Sequence, residues 1–490
     1  MYTSDNNPFN LLAKLLALTL KKKPVEVQPL ESKEDKRCFD KAIAVLEPYQ
    51  DEMSEAATIG VTSQTSDAII EQCKKFPFDV LYKILLVLDN YFTWEQISEE
   101  FDEEVRFQAL NTNIEETGLR ILPNIPSPRT EFEGRVRQTA DSFSESLNSD
   151  FRNCYYIEEK NLQINGIQYE LENVIYQVEH RNRNREQLLV AYSPLTSLQM
   201  EDVLKINCFS REDEHGLAHN FFSIDELKEE KLCFEAYKNL YHRACAMDAD
   251  IVMGPEMLCP QSLYEVDDFG YNTYLHQWSK EKRKLHERAP ALILTPSFWK
   301  DGRNTVRAFD RRGKLLLEQD KQCPFTYSKK ITDTGKEKYQ ENLENRIYRV
   351  VILHIPYWGR IAFPICKDFL TPAYQDLLIR VLHATLILCP SYSVGSANFE
   401  LALSAGVQFQ ATTLWGNSCS ALYPCENTGY TGAIRLPNIG HEALTVRFEL
   451  ECEGKCSEKC AFLIQVPLNC AGESRRQDIG AKCTHLLNDL

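Results

Sequence analysis

The sequence has too little of several residue types and patterns that define whole classes of protein. In 490 residues it has 10 histidines, of which His180 is the first, and its acidic residues outnumber its basic ones to give a net charge of −16. Proteins that bind nucleic acid need a basic surface to contact phosphates, so this charge argues against that class. The chain also has no Gly-rich phosphate loop. Its composition, 43% hydrophobic and 26% charged, is that of an ordinary globular protein with a sizeable core.

The N-terminus lacks an apolar run of the roughly 20 residues that a membrane span needs. Residues 11–20 are apolar but contain Lys14, and three lysines follow them rather than precede them, which is the wrong order for a signal peptide. We therefore expect segment 1–32 to dock on a protein surface as a short amphipathic helix. The 17 cysteines are odd in number and spread from Cys38 to Cys483, unlike a secreted disulfide framework. They predict reduced thiols and a cytoplasmic location.

The negative charge is concentrated near the N-terminus. Residues 51–150 hold 20 Asp and Glu against 8 Lys and Arg, a net −12. Apolar residues at three- and four-residue spacing predict an acidic α-helical module over 33–125, followed by a polar linker region over 126–186. The run Tyr91–Phe101 has the rhythm of a helix-turn-helix, with Thr93 as a helix cap. Its many glutamates favour an interaction or assembly module over a DNA reader.

From residue 187 onward strands alternate with helices, which predicts a layered α/β domain over 187–470 and a tail over 471–490. The segments 188–192, 250–253 and 291–294 are typical of buried strands, and Arg311–Arg312–Gly313 is expected to turn one strand into the next. Ser223 with Glu226 three residues later is predicted to begin a helix.

Three strand ends in this domain carry reactive groups. Glu256 follows a buried strand and Gly254–Pro255, a setting in which burial suits a carboxylate to act as a general base. Lys321 follows strand 315–319, where an ammonium group would stabilise a developing negative charge. Cys366 follows strand 361–363 and Pro364, at an elbow suited to a thiolate nucleophile.

These phrases, in the order Glu, Lys, Cys, resemble the nitrilase superfamily of carbon–nitrogen hydrolases. The matching residues are Pro255–Glu256, Lys321 and Ile365–Cys366–Lys367–Asp368, supported by Asn304–Thr305, Leu388–Ser391, Asn417, Gly429 and Gly432. The resemblance implies a four-layer αββα sandwich, here preceded by a small α-helical domain, and pairing of subunits into a homo-oligomer. It also implies a cysteine thioester mechanism with Glu256, Lys321 and Cys366 as catalytic residues and the Lys367 backbone N–H binding the oxyanion. Ser391 and Tyr392 would line the substrate pocket, and no cofactor or metal is implied.

The predicted function is therefore hydrolysis of a small non-peptide amide, regulated or assembled by the N-terminal module. The alternative is a catalytically silent nitrilase-like scaffold or sensor, for instance in a stress or antiviral defence system. Two longer stretches, 195–223 and 322–365, depart from compact members and are expected to serve as lids or in assembly. The second one leaves a further active-site carboxylate open among Glu337, Glu341 and Glu344.

Two other groups of residues compete for a role. Cys452, Cys456 and Cys460 lie four residues apart, with Cys470, Cys483 and His485 downstream, but this spacing is not a standard zinc pattern and favours structural thiols over a metal site. His354 precedes Cys366, which suggests a Cys–His protease as one interpretation. Its place within a strand instead favours a histidine whose hydrogen bonds are satisfied in the sheet.

Overall fold

The computed structural model describes residues 7–22, 32–56, 60–93, 96, 104–106, 117–125, 151–178, 187–330, 336–344, 347–393, 396–404, 411–422, 430–436, 445–449, 460–468 and 482–483. The chain divides into two compact units. The first comprises Met1–Gln168, Glu172–Gln177 and His354–Gly359, and the second comprises Tyr169–Leu171, Val178–Leu353 and Arg360–Leu490.

The first unit begins with helices whose apolar faces form one core. The N-terminal segment is helical as expected: Asn7 caps the first helix by accepting the N–H of Phe9, and Pro8 occupies its first turn, where a missing N–H costs nothing. Thr62 caps a later helix by accepting the N–H of Thr65. The helices are α1 (Pro8–Lys21), α2 (Ser32–Leu46), α3 (Gln50–Ser54), α4 (Ser63–Cys73) and α5 (Phe78–Asp89), with a 3₁₀ turn at Glu47–Tyr49 between α2 and α3.

Strands follow these helices in the first unit. Residues 151–178, for which the sequence predicts a linker, contain four of them, and two of these pair with other segments of the unit. The helix-turn-helix phrase lies mostly outside the described residues, which include only 91–93 and 96 of it. The strands are β1 (Glu104–Arg106), β2 (Leu119–Pro123), β3 (Cys154–Glu158), β4 (Gln163–Ile164), β5 (Ile167–Gln168) and β6 (Glu170–Tyr176).

The second unit is built on two large sheets. In one sheet β7, β10 and β11 run parallel, and in the other β18, β19 and β20 do so. The strands are β7 (Gln187–Tyr192), β8 (Leu204–Glu212), β9 (Ala218–Leu227), β10 (Ile251–Met253), β11 (Leu292–Leu294), β12 (Phe298–Lys300), β13 (Arg303–Asp310), β14 (Leu315–Asp320), β15 (Thr326–Lys330), β16 (Lys336–Glu341), β17 (Arg349–Ile355), β18 (Gly359–Ala362), β19 (Leu386–Ser391), β20 (Thr412–Asn417), β21 (Tyr430–Arg435), β22 (Thr445–Glu449), β23 (Phe462–Pro467) and β24 (Lys482–Cys483).

The helices of this unit lie between the strands in the chain. They are α6 (Met200–Val203), α7 (Glu230–Ala246), α8 (Gln261–Tyr264), α9 (Thr273–Lys284), α10 (Lys367–Leu370), α11 (Pro372–Asp376), α12 (Ser396–Leu403) and α13 (Cys419–Leu422), with a π-helical turn at Leu377–Val381.

The two sheets pack face to face, with helices on their outer sides. The Tyr192 ring of one sheet lies 6.0 Å from the Phe448 ring of the other, and its hydroxyl donates to the carbonyl of Asn417. On the outer faces, Tyr237 of α7 packs in one core cluster with Val252 of β10, and Phe399 of α12 stacks 4.6 Å from Trp415 of β20. This is the mixed α/β class with outer helices that the sequence predicts, and the helical N-terminal region is present as well.

The two long stretches 195–223 and 322–365 supply strands to one sheet. They form a four-stranded sheet in the order β15, β16, β9, β8, in which β16 and β9 are parallel. The prediction that a helix begins at Ser223 is wrong, because Ser223 lies within β9 and pairs with Asn207; the helix begins at Glu230. Alternating apolar residues from Phe222 onward suit a strand as well as a helix, and pairing with β8 decides the outcome.

Within the part of the chain that is described, none of the helices is both long enough and apolar enough to cross a membrane.

Candidate active site

The strand ends bring three predicted residues together in the second unit. Glu256 follows β10, Lys321 follows β14 and Cys366 follows β18. All three side chains are buried, with at most 1% of their residue surface exposed. The carboxyl ends of parallel strands are where open α/β sheets form their sites, which explains why residues 110 positions apart in sequence meet here.

Lys321 lies between two carboxylates. Its Nζ is 2.7 Å from Glu256 Oε1 and 2.7 Å from Glu341 Oε2. Burial alone would lower the pKa of Lys321, but the charges of Glu256 and Glu341 hold it well above its usual range, so the lysine is an ammonium ion. Burial raises the pKa of Glu341, and Glu256 raises it further, against the lowering effect of Lys321.

Glu341 is thus the second carboxylate at this site. It ends β16, and its Oε2 accepts the Phe325 N–H at 2.9 Å. Glu337 instead bonds Asn220 and Tyr339, and Glu344 bonds Arg211 and Asn342 at the surface. The four-stranded sheet that contains β16 therefore supplies a side chain to the site.

Asn304 of β13 joins the two carboxylates. Its Nδ2 donates to Glu256 Oε1 at 2.9 Å and to Glu341 Oε1 at 3.2 Å. Its Oδ1 accepts the Ser297 hydroxyl at 2.6 Å. The other oxygen of Glu256, Oε2, accepts the Tyr392 N–H at 2.8 Å. Both buried carboxylates are therefore held by several donors.

Cys366 has a strained backbone. Its φ of 49° and ψ of −102° lie outside the regions that L-residues favour, and its N–H donates to the Pro390 carbonyl at 2.9 Å. Such strain costs of order 1–3 kcal/mol and clusters at functional sites. Burial raises the pKa of the Cys366 thiol well above its usual range and Glu256 raises it further, whereas Lys321 and the Tyr392 N–H act in the opposite direction. The resting sulfur is therefore a neutral thiol.

Asp368 ties the lysine loop to the cysteine elbow. Its Oδ1 accepts the N–H groups of Gln322 and Cys323 at 2.9 and 2.6 Å, and its Oδ2 accepts the Ile365 N–H at 3.1 Å. Burial raises the pKa of Asp368 to about 7, although Lys321 and the three N–H groups lower it. One side chain thus anchors the segments on which Lys321 and Cys366 lie.

The remaining residues predicted for the site lie beside Cys366 in the chain or after β19. Lys367 is the first residue of α10, directly after Cys366. Ser391 ends β19 and is buried, with its hydroxyl 3.6 Å from the Cys389 sulfur. Tyr392 reaches Glu256 through its main chain, while its hydroxyl bonds the Ser420 hydroxyl. The structure thus gives Tyr392 a backbone contact at the site.

Two roles are not apparent from the sequence: the structural role of Asp368 and the bridging role of Asn304. Strand β13 holds polar and charged residues as well as apolar ones, so nothing in its pattern marks the buried amide of Asn304. The loop contacts of Asp368 are likewise unmarked.

The competing groups are placed as follows. Cys452, Cys456, Cys470 and His485 lie outside the described residues; Cys460 is buried. Over the described ranges, no cluster of His, Cys, Asp and Glu has the arrangement of a metal site. His354 is buried in β17, and its Nε2 lies 2.9 Å from Asn173 Oδ1.

Comparisons with known proteins give remote structural likenesses. No family model matches the sequence, and no curated protein matches it. Among solved structures, the NitFhit protein of C. elegans is similar at 16% identity and a TM-score of 0.35, over 55% of this chain; the match spans only 62% of NitFhit. A mutant amidase from Nesterenkonia sp. AN1 in complex with acrylamide is similar at 14% identity and a TM-score of 0.31, over 55% of this chain and 92% of the amidase. Another mutant of that amidase, described as from the nitrilase superfamily, is similar at 13% identity and a TM-score of 0.30, over 55% of this chain and 94% of the amidase.

Proposed function

We propose that the second unit is a thiol-dependent amidohydrolase that cleaves a small non-peptide amide through a thioester on Cys366. The observation that carries this proposal is the Lys321 ammonium held between Glu256 and Glu341 next to a strained, buried cysteine. Burial of an ion pair costs desolvation free energy, and apolar side chains of similar volume would stabilise the fold equally well.

The first step is transfer of a proton from Cys366 to Glu256. Because the resting thiol is neutral, it needs a base before it can attack. Glu256 Oε1 already accepts two donors, Lys321 and Asn304, whereas Oε2 accepts the Tyr392 N–H. Because Oε2 has one donor and Oε1 has two, we assign Oε2 as the oxygen that takes the proton.

The thiolate then bonds to the amide carbon, and the carbonyl π electrons move to oxygen. Lys321 and the Lys367 N–H stabilise this oxyanion. Glu256 returns its proton to the leaving nitrogen, the carbon–nitrogen bond breaks, and ammonia or an amine departs. Water then attacks the thioester and gives a proton to Glu256. The carbon–sulfur bond breaks, the acid is released, and Glu256 returns the proton to sulfur to restore the Cys366 thiol.

Ammonia release from a panel of small primary amides tests this function. We expect wild-type protein to release ammonia and Cys366→Ala to release none. Cys245→Ala is the matched control, since Cys245 is another buried free thiol of this unit, on α7, and should retain wild-type rates. If wild type and Cys366→Ala are equally silent while a small molecule raises the Tm of both, the scaffold or sensor function replaces the enzyme. Regulation or assembly by the N-terminal region, and homo-oligomer formation, stay predictions.

A further inference from the structure

We propose that Asn304 is a positioning residue that holds Glu256 and Glu341 on Lys321 and orients Glu256 to receive the Cys366 proton. This inference rests on the amidohydrolase function proposed above. It concerns the residues that position the base, since the side-chain hydrogen bonds described for Asn304 join it to the two carboxylates and to Ser297.

The direction of the Asn304 amide is set by a chain of donors. The Met257 N–H can only donate, and it donates to Ser297 Oγ at 2.9 Å. The single Ser297 hydroxyl hydrogen is then directed at Asn304 Oδ1, 2.6 Å away. The amide NH₂ group must therefore face Glu256 and Glu341. Met257 directly follows Glu256 in the sequence. The series of hydrogen bonds therefore begins beside Glu256, the carboxylate that Asn304 orients.

The consequence for the carboxylates is electrostatic. Each N–H of Asn304 bonds one carboxylate oxygen, and such a bond favours the ionised form of the carboxyl group. Burial and the charge of Glu256 raise the pKa of Glu341, so loss of the Asn304 N–H would favour the protonated form of Glu341. The titratable side chains whose charges are coupled to Glu256 are Lys321, Glu341, Cys366, Cys389 and Tyr392.

Removal of the Asn304 amide should therefore favour the protonated form of Glu341, free Glu256 to move away from Lys321, and shift the acid limb of the rate profile to higher pH. For Asn304→Ala we expect kcat/KM for ammonia release to fall about 100-fold, because a displaced base costs this much. The acid limb should rise by roughly one pH unit. Ser297→Ala, which frees the amide to turn, should shift the limb in the same direction by less.

A substrate-independent readout separates this inference from the proposed function. The rate of Cys366 alkylation by iodoacetamide, followed by peptide mass spectrometry against pH, should show the same upward shift of its acid limb. Asn272→Ala is the matched control: Asn272 is equally buried and makes four side-chain hydrogen bonds, but it caps α9 and bonds Ser262, Glu265, Tyr274 and Leu275 instead. It should lower the Tm and leave both pH profiles unchanged.

The outcomes are distinguishable. Shifted profiles in Asn304→Ala and Ser297→Ala, with an unshifted Asn272→Ala, support the inference. If wild type releases no ammonia, the proposed function fails and the alkylation profiles alone decide. If Asn304→Ala does not fold, Ser297→Ala decides. Profiles that coincide with wild type in the folded variants overturn the positioning role.

Discussion

Both units of the molecule bury carboxylates, but they satisfy them with different partners. In the first unit, Asp89 at the end of α5 accepts the backbone N–H groups of Arg152, Asn153 and Cys154 at 2.7 to 3.2 Å. In the second unit, Glu256 and Glu341 share the ammonium of Lys321. Burial raises the pKa of Asp89 and of Glu341 alike.

The difference lies in what the partners can do. The partners of Asp89 are backbone N–H groups, which neither gain nor lose a proton, and the Cys154 thiol, whose pKa burial and Asp89 raise well above its usual range. These partners fasten one segment to another. The second cluster instead holds an ammonium ion between two carboxylates, next to a cysteine with a strained backbone, so protons can be redistributed among its groups. Burial of a carboxylate alone therefore does not identify chemistry; an ammonium ion shared between carboxylates beside a nucleophile does.

We expect the largest effect from Lys321→Met, which leaves two buried carboxylates without their cation. We expect the unfolding free energy to fall by about 3–5 kcal/mol near neutral pH, and ammonia release to stop. The loss should be smaller at pH 5, because protonation then neutralises the stranded carboxyl groups. Urea unfolding at both pH values measures this. Lys282→Met, which breaks the partly exposed pair with Glu287, is the control; equal losses in the two variants would contradict the account.

A pH series on Asp368→Asn tests the carboxylate that joins the two catalytic segments. Since the folded-state pKa of Asp368 is raised to about 7, the folded protein binds this proton more tightly than the unfolded chain does. Its contribution to stability is therefore present at low pH and is lost as pH rises from about 4 to about 7, by roughly 4 kcal/mol at most. Urea unfolding from pH 4.5 to 8 should show a shallower decline for Asp368→Asn than for wild type.

The control for that series is Asp376→Asn, which alters an exposed carboxylate paired with Arg380. Its stability should run parallel to that of wild type across the range. If Asp368→Asn also runs parallel, Asp368 does not carry the shifted proton.

Asp89→Ala tests the buried carboxylate of the first unit. Three N–H groups lose their acceptor, so the unfolding free energy should fall by about 1–3 kcal/mol. The rate of ammonia release by the folded protein should not change, because this cluster only fastens segments. Asp67→Ala, at an exposed pair with Lys14, controls for loss of charge. A folded Asp89→Ala protein with no activity would show that the role of the Asp89 cluster is not limited to fastening segments.

The smallest effect is expected from Thr62→Ala. This change removes the side-chain acceptor that caps α4, and such caps contribute about 1 kcal/mol. Thermal unfolding measures the decrease in Tm, with Thr62→Ser as the variant that keeps the cap. An equal Tm for wild type and Thr62→Ala would mean that the first unit gains nothing from this cap.

Sequence reasoning places Glu256, Lys321 and Cys366 at strand ends because buried strands such as β10 are short apolar runs bounded by Gly and Pro. Sequence reasoning cannot tell which of Glu337, Glu341 and Glu344 lies in the site. The answer depends on the register of β16 against β9. A shift of one residue in that register would turn Glu341 away from the site.

The start of α7 is mispredicted for a related reason. Ser223 and Glu226 match a helix-capping pattern locally, but the pairing of β9 with β8, nine positions long, outweighs a local cap. Long-range pairing is also why the four-stranded sheet could not be foreseen: its two hairpins are about 100 residues apart in sequence. Local sequence patterns therefore predict individual helices and strands, whereas the site forms only when the strands pair.

Mass spectrometry of the protein quenched during turnover of a small primary amide tests whether Cys366 forms a thioester. We expect an acyl group on the Cys366 peptide of wild type and of Asp89→Ala, and none in Cys366→Ala. Ammonia release without an acyl group on Cys366, or an acyl group on a different cysteine, would show that Cys366 is not the nucleophile.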